Sequence, residues 1–311
     1  MSSLQAPTTV GMYNPPEFFS SVRMWAFNPD GTPTAEFLSA GRLLTGRILS
    51  DLSLVQVSAN LVAKSESSGV VLRVRDAGQR IRVYNNLLQL TRLHKEGVRL
   101  IPPLATSVAE DGGYIVTAWP AGDPEAATYE GLGSALSTLH NVGPVAGLAT
   151  TEVSSRFHRR LRDLADDMPN SVVRELHRRA HSAQSLLQDL LEEPHTLLHG
   201  DPHAGNSVAF NGATHLIDLD SLQVGPREFD LLMSYVSSRR FQPSGTAWEE
   251  FQAGYGERFD EGRMRKYSVI RETTMNTWLA TMWASNPAAQ EELLHRLDTW
   301  DSDNHEPWSN P

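Results

Sequence analysis

The sequence predicts an α+β fold, with a small strand-rich part followed by a larger, mainly helical part. Three observations carry this expectation. Short apolar runs rich in Val, Leu and Ile fall at 52–57, 69–74 and 114–119. Apolar residues at helical spacing dominate most of the chain from Leu132 onward. One hairpin signal interrupts the helices: Asn211-Gly212 lies between the apolar runs 207–210 and 214–217. The tightest hairpin turns need φ > 0 at both central positions, which Asn and Gly tolerate.

Taken in order, 1–33 is rich in Pro, Ser, Asn and Gly, with Phe18, Phe19, Trp25 and Phe27 embedded. It reads as an arm ordered by docking its aromatics on the body, or as a partner-binding peptide. Thr34, after Pro33, is an N-cap candidate. Phe37, Leu38, Leu44 and Ile48 then fit a helix to about Leu49. Strands at 52–57 and 69–74 are joined through 58–60 and 64–68. Val83, Leu87, Leu90 and Leu93 share one helical face that ends near Gly97, and no Asp or Glu occurs from 77 to 95. Pro102-Pro103 opens a turn, and Pro120 to Pro124 closes the strand at 114–119.

Leu132, Leu136 and Leu139 form a helical stripe ahead of His140, which reads as structural. From 156 to 191 two helices break near Met168-Pro169-Asn170. Their arginines alternate with Asp163, Asp166, Asp167 and Glu175, the pattern of a solvated, ion-paired face. Beyond the hairpin, helices are expected at 229–238, 247–255, 263–283 and 288–300. A polar tail follows at 301–311, with Trp308 docked.

A chain of 311 residues is long enough for two lobes, and 40% hydrophobic content describes a soluble globular protein. No apolar run is long enough to span a bilayer, and the N-terminus lacks the basic start and apolar core of a signal peptide. The expected setting is cytoplasmic, without a membrane partner. Cysteine is absent, which excludes disulfides, thiolate catalysis and Cys-based zinc sites. A net charge of -10 argues against nonspecific nucleic-acid binding and leans towards a cationic small substrate.

The chemistry concentrates in 197–222, LLHGDPHAGNSVAFNGATHLIDLDSL. If the Asn211-Gly212 turn is two residues long, Phe210 pairs with Ala213, and counting back sets Asn206 beside Ile217. Asn206 and Asp218 then share the open end of the hairpin. Asp201 precedes it on a turn marked by Pro202 and Gly205. An amide oxygen and two carboxylates are hard oxygen ligands or proton acceptors, suited to Mg²⁺ and a phosphate-bearing substrate. The same acids could instead be capping residues of a chance turn. A metallohydrolase using His199, Asp201, His203 and Asp218 is a further reading, but such sites normally carry more histidines in ligand spacing.

His199-Gly200-Asp201-Pro202-His203-Ala204-Gly205-Asn206 followed by Ile217-Asp218-Leu219-Asp220 resembles the catalytic core of the aminoglycoside phosphotransferase and choline kinase family. The run from Gly225 to Leu231 resembles that family's continuation. The resemblance implies a bilobal protein-kinase-like fold: a small antiparallel β-sheet lobe plus a larger mainly helical lobe. It implies an arm at 1–33, a nucleotide-binding lobe at 34–120, and a catalytic and substrate-binding lobe at 121–311. It also implies transfer of the γ-phosphoryl group of ATP or GTP to a hydroxyl of a small acceptor, either aminoglycoside-like, an amino alcohol or a sugar.

By that resemblance Asp201 accepts or orients the hydroxyl proton, and Asn206 and Asp218 hold Mg²⁺ against the phosphates. Asp220 binds a second metal or braces the loop. His203 touches substrate or phosphate, His199 bonds nearby backbone, and Asp230 caps N–H groups of the loop. Arg73 stands where the family carries its phosphate-binding lysine. Ser58 and Asn60 fall in the phosphate-covering loop, which lacks glycine here. Trp119 or Ala121 offers a backbone N–H to the purine, since Pro120 has none; Trp119 serves equally as core packing. Arg271, Glu272 and Asn276 lie at helical spacing where the family lines its acceptor cleft.

Two departures stand out: arginine for lysine at Arg73, and a helix whose stretch 77–95 has no Asp or Glu to pair with it. They motivate an alternative, a nucleotide-binding protein of the same fold with little catalytic activity, acting as a partner or regulator. Acceptor, ATP against GTP, and oligomeric state are not legible.

Overall fold

The computed structural model describes residues 16–57, 60–151, 153–242, 245–302 and 306–309; for 16–18 and 153–156 it describes the backbone alone. The chain divides into two compact units, Met1–Lys95 with Ile101–Gly122, and Glu96–Leu100 with Asp123–Pro311.

The first unit carries five strands: β1 (Leu52–Val57), β2 (Leu61–Ser65), β3 (Val70–Asp76), β4 (Ala109–Asp111) and β5 (Tyr114–Pro120). They pair antiparallel in the order β1-β2-β3-β5-β4. Alternation along β3 sends Val70, Leu72 and Val74 to one face, where all three are fully buried. That face packs on α1 (Pro16–Ala26) and α2 (Ala35–Thr45) through Val22, Ala26, Phe37, Ala40 and Leu44. Burying each large aliphatic or aromatic side chain stabilises the unit by roughly 1.5–3 kcal/mol. Ile115 on the other face packs with Val83 and Leu87 of α3 (Arg80–Lys95), with Trp119 against them.

Two details differ from the sequence reading. The described part of the arm docks its aromatics on the body as expected but does so from an unexpected helix, Pro16–Ala26: the Trp25 ring tilts against Phe37 and Tyr114 with centroids 5.7 and 5.1 Å away. Its indole N–H donates to Asp111 Oδ2 at 3.0 Å. Helix α2 begins where Thr34 predicts it, with Thr34 Oγ1 accepting from Phe37 N–H at 3.3 Å. It stops at Thr45 rather than near Leu49, because Gly46 adopts φ 66° and returns its N–H to Arg42 O.

The second unit is mainly helical: α4 (Tyr129–His140), α5 (Val153–Arg162), α6 (Asn170–Leu191), α7 (Glu228–Val236), α8 (Ala247–Tyr255), α9 (Glu261–Ala280) and α10 (Pro287–Thr299). A single π turn, Ser237–Phe241, extends α7. Two strand pairs are inserted, β6 (His195–Leu198) with β9 (Gln223–Pro226) and β7 (Ser207–Phe210) with β8 (Ala213–Leu216). The β6–β9 pair is not legible beforehand, since strands of four residues give no resolved alternation.

Helix α9 packs against α5, α6, α7 and α10. It is buried on several sides, which is why it shows threonines and Asn276 inside and no simple apolar stripe. Glycine permits the tight crossing of α4 on α8: a Cβ on Gly254 would lie 1.7 Å from Glu130 O. The tail docks as expected, with Trp308 N–H donating to Arg240 O at 2.8 Å and its indole to Thr299 Oγ1 at 3.1 Å.

Candidate active site

The site loop leaves β6 at His199 and is fixed from beneath by a buried polar relay. Asp230, on the first turn of α7, is fully buried. Its Oδ2 accepts from His199 N–H at 2.7 Å and its Oδ1 from Gly200 N–H at 2.9 Å. His140 Nε2 lies 3.1 Å from the same Oδ2, and Tyr255 OH lies 2.8 Å from His140 Nδ1. With Nε2 donating to the carboxylate, Nδ1 accepts from the phenol. Burial pushes the Tyr255 pKa up, which favours the protonated donor. Asp230 and His140 therefore have the structural roles expected of them.

His199 is fully buried, and both ring nitrogens are engaged: Nε2 bonds Ile217 O at 2.9 Å, and Nδ1 accepts Asp201 N–H at 3.3 Å. This ties the loop to the strand end that carries Asp218. Gly200 has φ 90°, and a Cβ there would lie 2.6 Å from Ser221 O, so only glycine turns the chain at this point.

The hairpin forms in the expected register, Phe210 opposite Ala213, with Asn211 at φ 50° and Gly212 at φ 78°. Ile217 N–H donates to Asn206 O at 3.0 Å, extending the ladder and setting Asn206 next to the residue before Asp218. Asn206 Nδ2 donates to Asp201 O at 2.9 Å. That bond assigns the amide: nitrogen faces Asp201, and Oδ1 is left as an acceptor. Asp218 sits in the left-handed region at φ 60° and ψ 43°, a conformation that Asp adopts more readily than most residues.

Asp201 is half-exposed. Arg271 Nη2 stands 3.8 Å from its Oδ1 and His203 Nε2 3.7 Å from its Oδ2. Both exceed hydrogen-bond distance, and among the described residues the carboxylate accepts no hydrogen bond. Burial holds the His203 pKa below its ordinary value, against the opposing attraction of Asp201.

Asn206 Oδ1 and Asp218 suit Mg²⁺, which is commonly held by one or two side-chain oxygens plus waters and phosphates. Among the described residues no three His, Asp or Glu gather into a metal site. The metallohydrolase ligand set is not assembled, because backbone bonds use both nitrogens of His199.

Arg271 is brought to the site, and Glu272 and Asn276 are not. Glu272 is 2% exposed; its Oε1 accepts from Arg240 Nε at 2.8 Å and its Oε2 from the Trp300 indole at 2.7 Å. Asn276 is fully buried and meets Arg296 Nη1 at 3.4 Å. Successive helix residues turn about 100°, so Arg271 and Glu272 cannot share a wall. The placement of Glu272 in an acceptor cleft is therefore corrected to a structural ion pair. The helix face that does form a wall holds Ile270, Arg271 and Thr274, with Phe229, Leu232 and Met233 from α7, and Gly200 and Gln223. Helical spacing at 229, 232 and 233 was the available signal for the α7 part. Gln223, on an unrecognised strand, had none. Asp220 is half-buried on the turn after Asp218.

In the first unit, Arg73 is half-buried on β3, opposite Val62 of β2 and Thr117 of β5. Helix α3 offers no carboxylate. Asn60 is 8% exposed, with Oδ1 lacking a hydrogen-bond partner among the described residues. Ser58 lies outside the described residues. The Trp119 side chain is half-buried: its indole N–H donates to Thr117 Oγ1 at 2.9 Å and its ring packs against the α3 cluster. Ala121 N–H is already bonded to Gly69 O at 2.9 Å, which removes it as a purine donor.

Solved structures with this fold include a spectinomycin phosphotransferase, APH(9)-Ia, in complex with ADP and spectinomycin. It is 17% identical, covers 86% of this chain and 95% of its own, and has a TM-score of 0.62. A choline/ethanolamine kinase family protein from Mesorhizobium loti is 20% identical, with 81% and 88% coverage and a TM-score of 0.59. The GDP and kanamycin complex of an APH(2")-IIIa enzyme is 14% identical, with 87% and 100% coverage and a TM-score of 0.65. No curated protein sequence matches the chain. No helix among the described residues is long and apolar enough to cross a membrane. The model of the phosphotransferase enzyme family, APH, matches residues 59–267, two thirds of the chain. The protein therefore belongs to the phosphotransferase enzyme family and is a small-molecule phosphotransferase acting on hydroxyl groups.

Proposed function

We propose that the protein transfers the γ-phosphoryl group of ATP or GTP to a hydroxyl of a small acceptor, with Asp201 as the group that orients and accepts the hydroxyl proton. One observation supports this above the others: Asp201 is braced through its backbone by Asn206 and His199, while its carboxylate is half-exposed and accepts no hydrogen bond among the described residues. A proton acceptor needs both features, a fixed position and an available lone pair. Asn206 Oδ1 and Asp218 are the residues that would hold Mg²⁺. When bound, that ion neutralises phosphate charge and orients the transferring group. Arg73 would add a cation for the phosphates, and its planar fork suits their oxygens. Asn60 would contribute its amide to the donor nucleotide.

The alternative, a binding protein with little activity, draws on the absent carboxylate of α3. The braced Asp201 favours catalysis instead. Asp201→Ala separates the two. Under the proposed function the variant loses on the order of 10²-fold or more in phosphoryl transfer while nucleotide binding persists; unchanged turnover removes Asp201 from catalysis.

A further inference from the structure

The main chain of Asp201 is fixed, and its side chain is not. Asn206 Nδ2 donates to Asp201 O, and Asp201 N–H donates to His199 Nδ1. Beyond them the carboxylate accepts no hydrogen bond among the described residues. The terminal torsion of an aspartate is broad, with no sharp staggered well to hold it. A proton acceptor that turned about this torsion would offer its lone pair in many directions, whereas in-line transfer needs one.

Each carboxylate oxygen faces a different neighbour. Oδ1 lies 3.8 Å from Arg271 Nη2, and Oδ2 lies 3.7 Å from His203 Nε2. The two neighbours are not equivalent. A guanidinium is charged at every working pH. Burial pushes the His203 pKa below its ordinary value, so its imidazole is largely neutral at neutral pH. Attraction between opposite charges at this separation does not require hydrogen-bond geometry. The permanent charge therefore draws on Oδ1 and leaves Oδ2 the more open oxygen.

Arg271 is itself held in place. It makes further contacts of its own. The rotation of α9 about its axis is set by its buried neighbours: Glu272 accepts from Arg240 Nε at 2.8 Å and from the Trp300 indole at 2.7 Å, and Asn276 Oδ1 faces Arg296 Nη1 at 3.4 Å. The locked helix presents Arg271, half-buried, to the cleft that Gly200 also lines.

We infer that Arg271 is a positioning residue for phosphoryl transfer, holding Asp201 through Oδ1 and turning Oδ2 towards the acceptor hydroxyl. The hydroxyl oxygen forms its bond to the γ-phosphorus, and its proton passes to Oδ2. The bond from the γ-phosphorus to the β–γ bridging oxygen breaks, and nucleoside diphosphate leaves. The guanidinium acts through Asp201 and gives up no proton. The inference rests on the phosphotransferase reading above and adds to it a residue of α9.

The test uses the full chain with Mg²⁺-ATP and Mg²⁺-GTP and follows nucleoside diphosphate release with water, choline, kanamycin or glucose as the acceptor. Magnesium-dependent nucleotide binding is titrated in parallel. In Arg271→Met, kcat is expected to fall about 10- to 100-fold with whichever acceptor the wild type uses, while KM for nucleotide and acceptor stays within about twofold. Arg271→Lys keeps the charge without the planar fork and recovers part of kcat. Free guanidinium at a concentration that does not denature restores part of the kcat of Arg271→Ala, which loss of a merely structural contact would not permit. Circular dichroism and melting check that the variants fold; if Arg271→Met does not, Arg271→Lys and the rescue of Arg271→Ala carry the test. An unchanged kcat overturns the inference. So does a loss confined to KM for the acceptor, which makes Arg271 a binding residue, and so does a loss of kcat that neither lysine nor guanidinium repairs. Wild type that binds no nucleotide, or releases no nucleoside diphosphate with any of these acceptors, fails the underlying phosphotransferase reading, and the role of Arg271 falls with it.

Discussion

Asp230 Oδ2 accepts the backbone N–H of His199 at 2.7 Å, from thirty-one positions further along the chain. The fully buried carboxylate thus supports the loop that carries Asp201 without touching it. Asp230→Asn keeps one acceptor oxygen but points an NH₂ group at a backbone donor. The expected cost is about 2 kcal/mol in stability, read from a denaturant midpoint. Turnover is expected to fall at least tenfold, because a small displacement of a positioned group is costly in rate. An unaltered midpoint and rate would mean that the loop holds its shape without this bond.

Asp218 is tested through the metal. Asp218→Asn removes a negative charge from the proposed ion site while keeping an oxygen and the side-chain size. The magnesium concentration needed for half-maximal nucleotide binding is expected to rise at least tenfold. Titration calorimetry at several magnesium concentrations reads this directly, and an unshifted requirement takes Asp218 out of the site.

Helix α3 carries no carboxylate to pair with Arg73, and the test is whether its guanidinium serves phosphate. Arg73→Lys keeps the charge and should retain most activity, whereas Arg73→Ala should lose roughly a hundredfold in kcat/KM for the nucleotide. Comparison of the three kinetic profiles decides the matter; equal values place Arg73 away from the phosphates.

Acid sensitivity follows from Glu175. The hydrogen bond from Arg178 and the nearby Arg179 guanidinium lower its pKa to about 2. Since the folded value lies below the unfolded one, its stabilising effect is present above about pH 5 and is lost as pH falls towards 2. Thermal melts of wild type over that range should lose more than those of Glu175→Gln, by about 2 °C. Parallel curves would assign the loss to other carboxylates.

The sequence by itself determined the local elements that rest on short-range rules. Thr34 marked the start of α2, and Asn211-Gly212 set the hairpin register and with it the pairing of Asn206 with the Asp218 end. These depend on backbone preferences within a few residues. The loop motif also marked the catalytic candidates, since an acid, an amide and a second acid in that order are visible without coordinates.

Tertiary structure alone decided which side of each long element meets the site. On α9, helical rotation sends Arg271 to Asp201 and Glu272 to Arg240 and Trp300, and no charge pattern along the chain distinguishes the two. The half-buried Trp119 ring packs against the α3 cluster with its indole on Thr117, and Ala121 lost its free N–H to Gly69 across the sheet. Gln223 entered the cleft on a strand too short to announce itself. Each outcome depends on contacts between residues far apart in sequence, where packing and burial, rather than local propensity, fix the direction of a side chain.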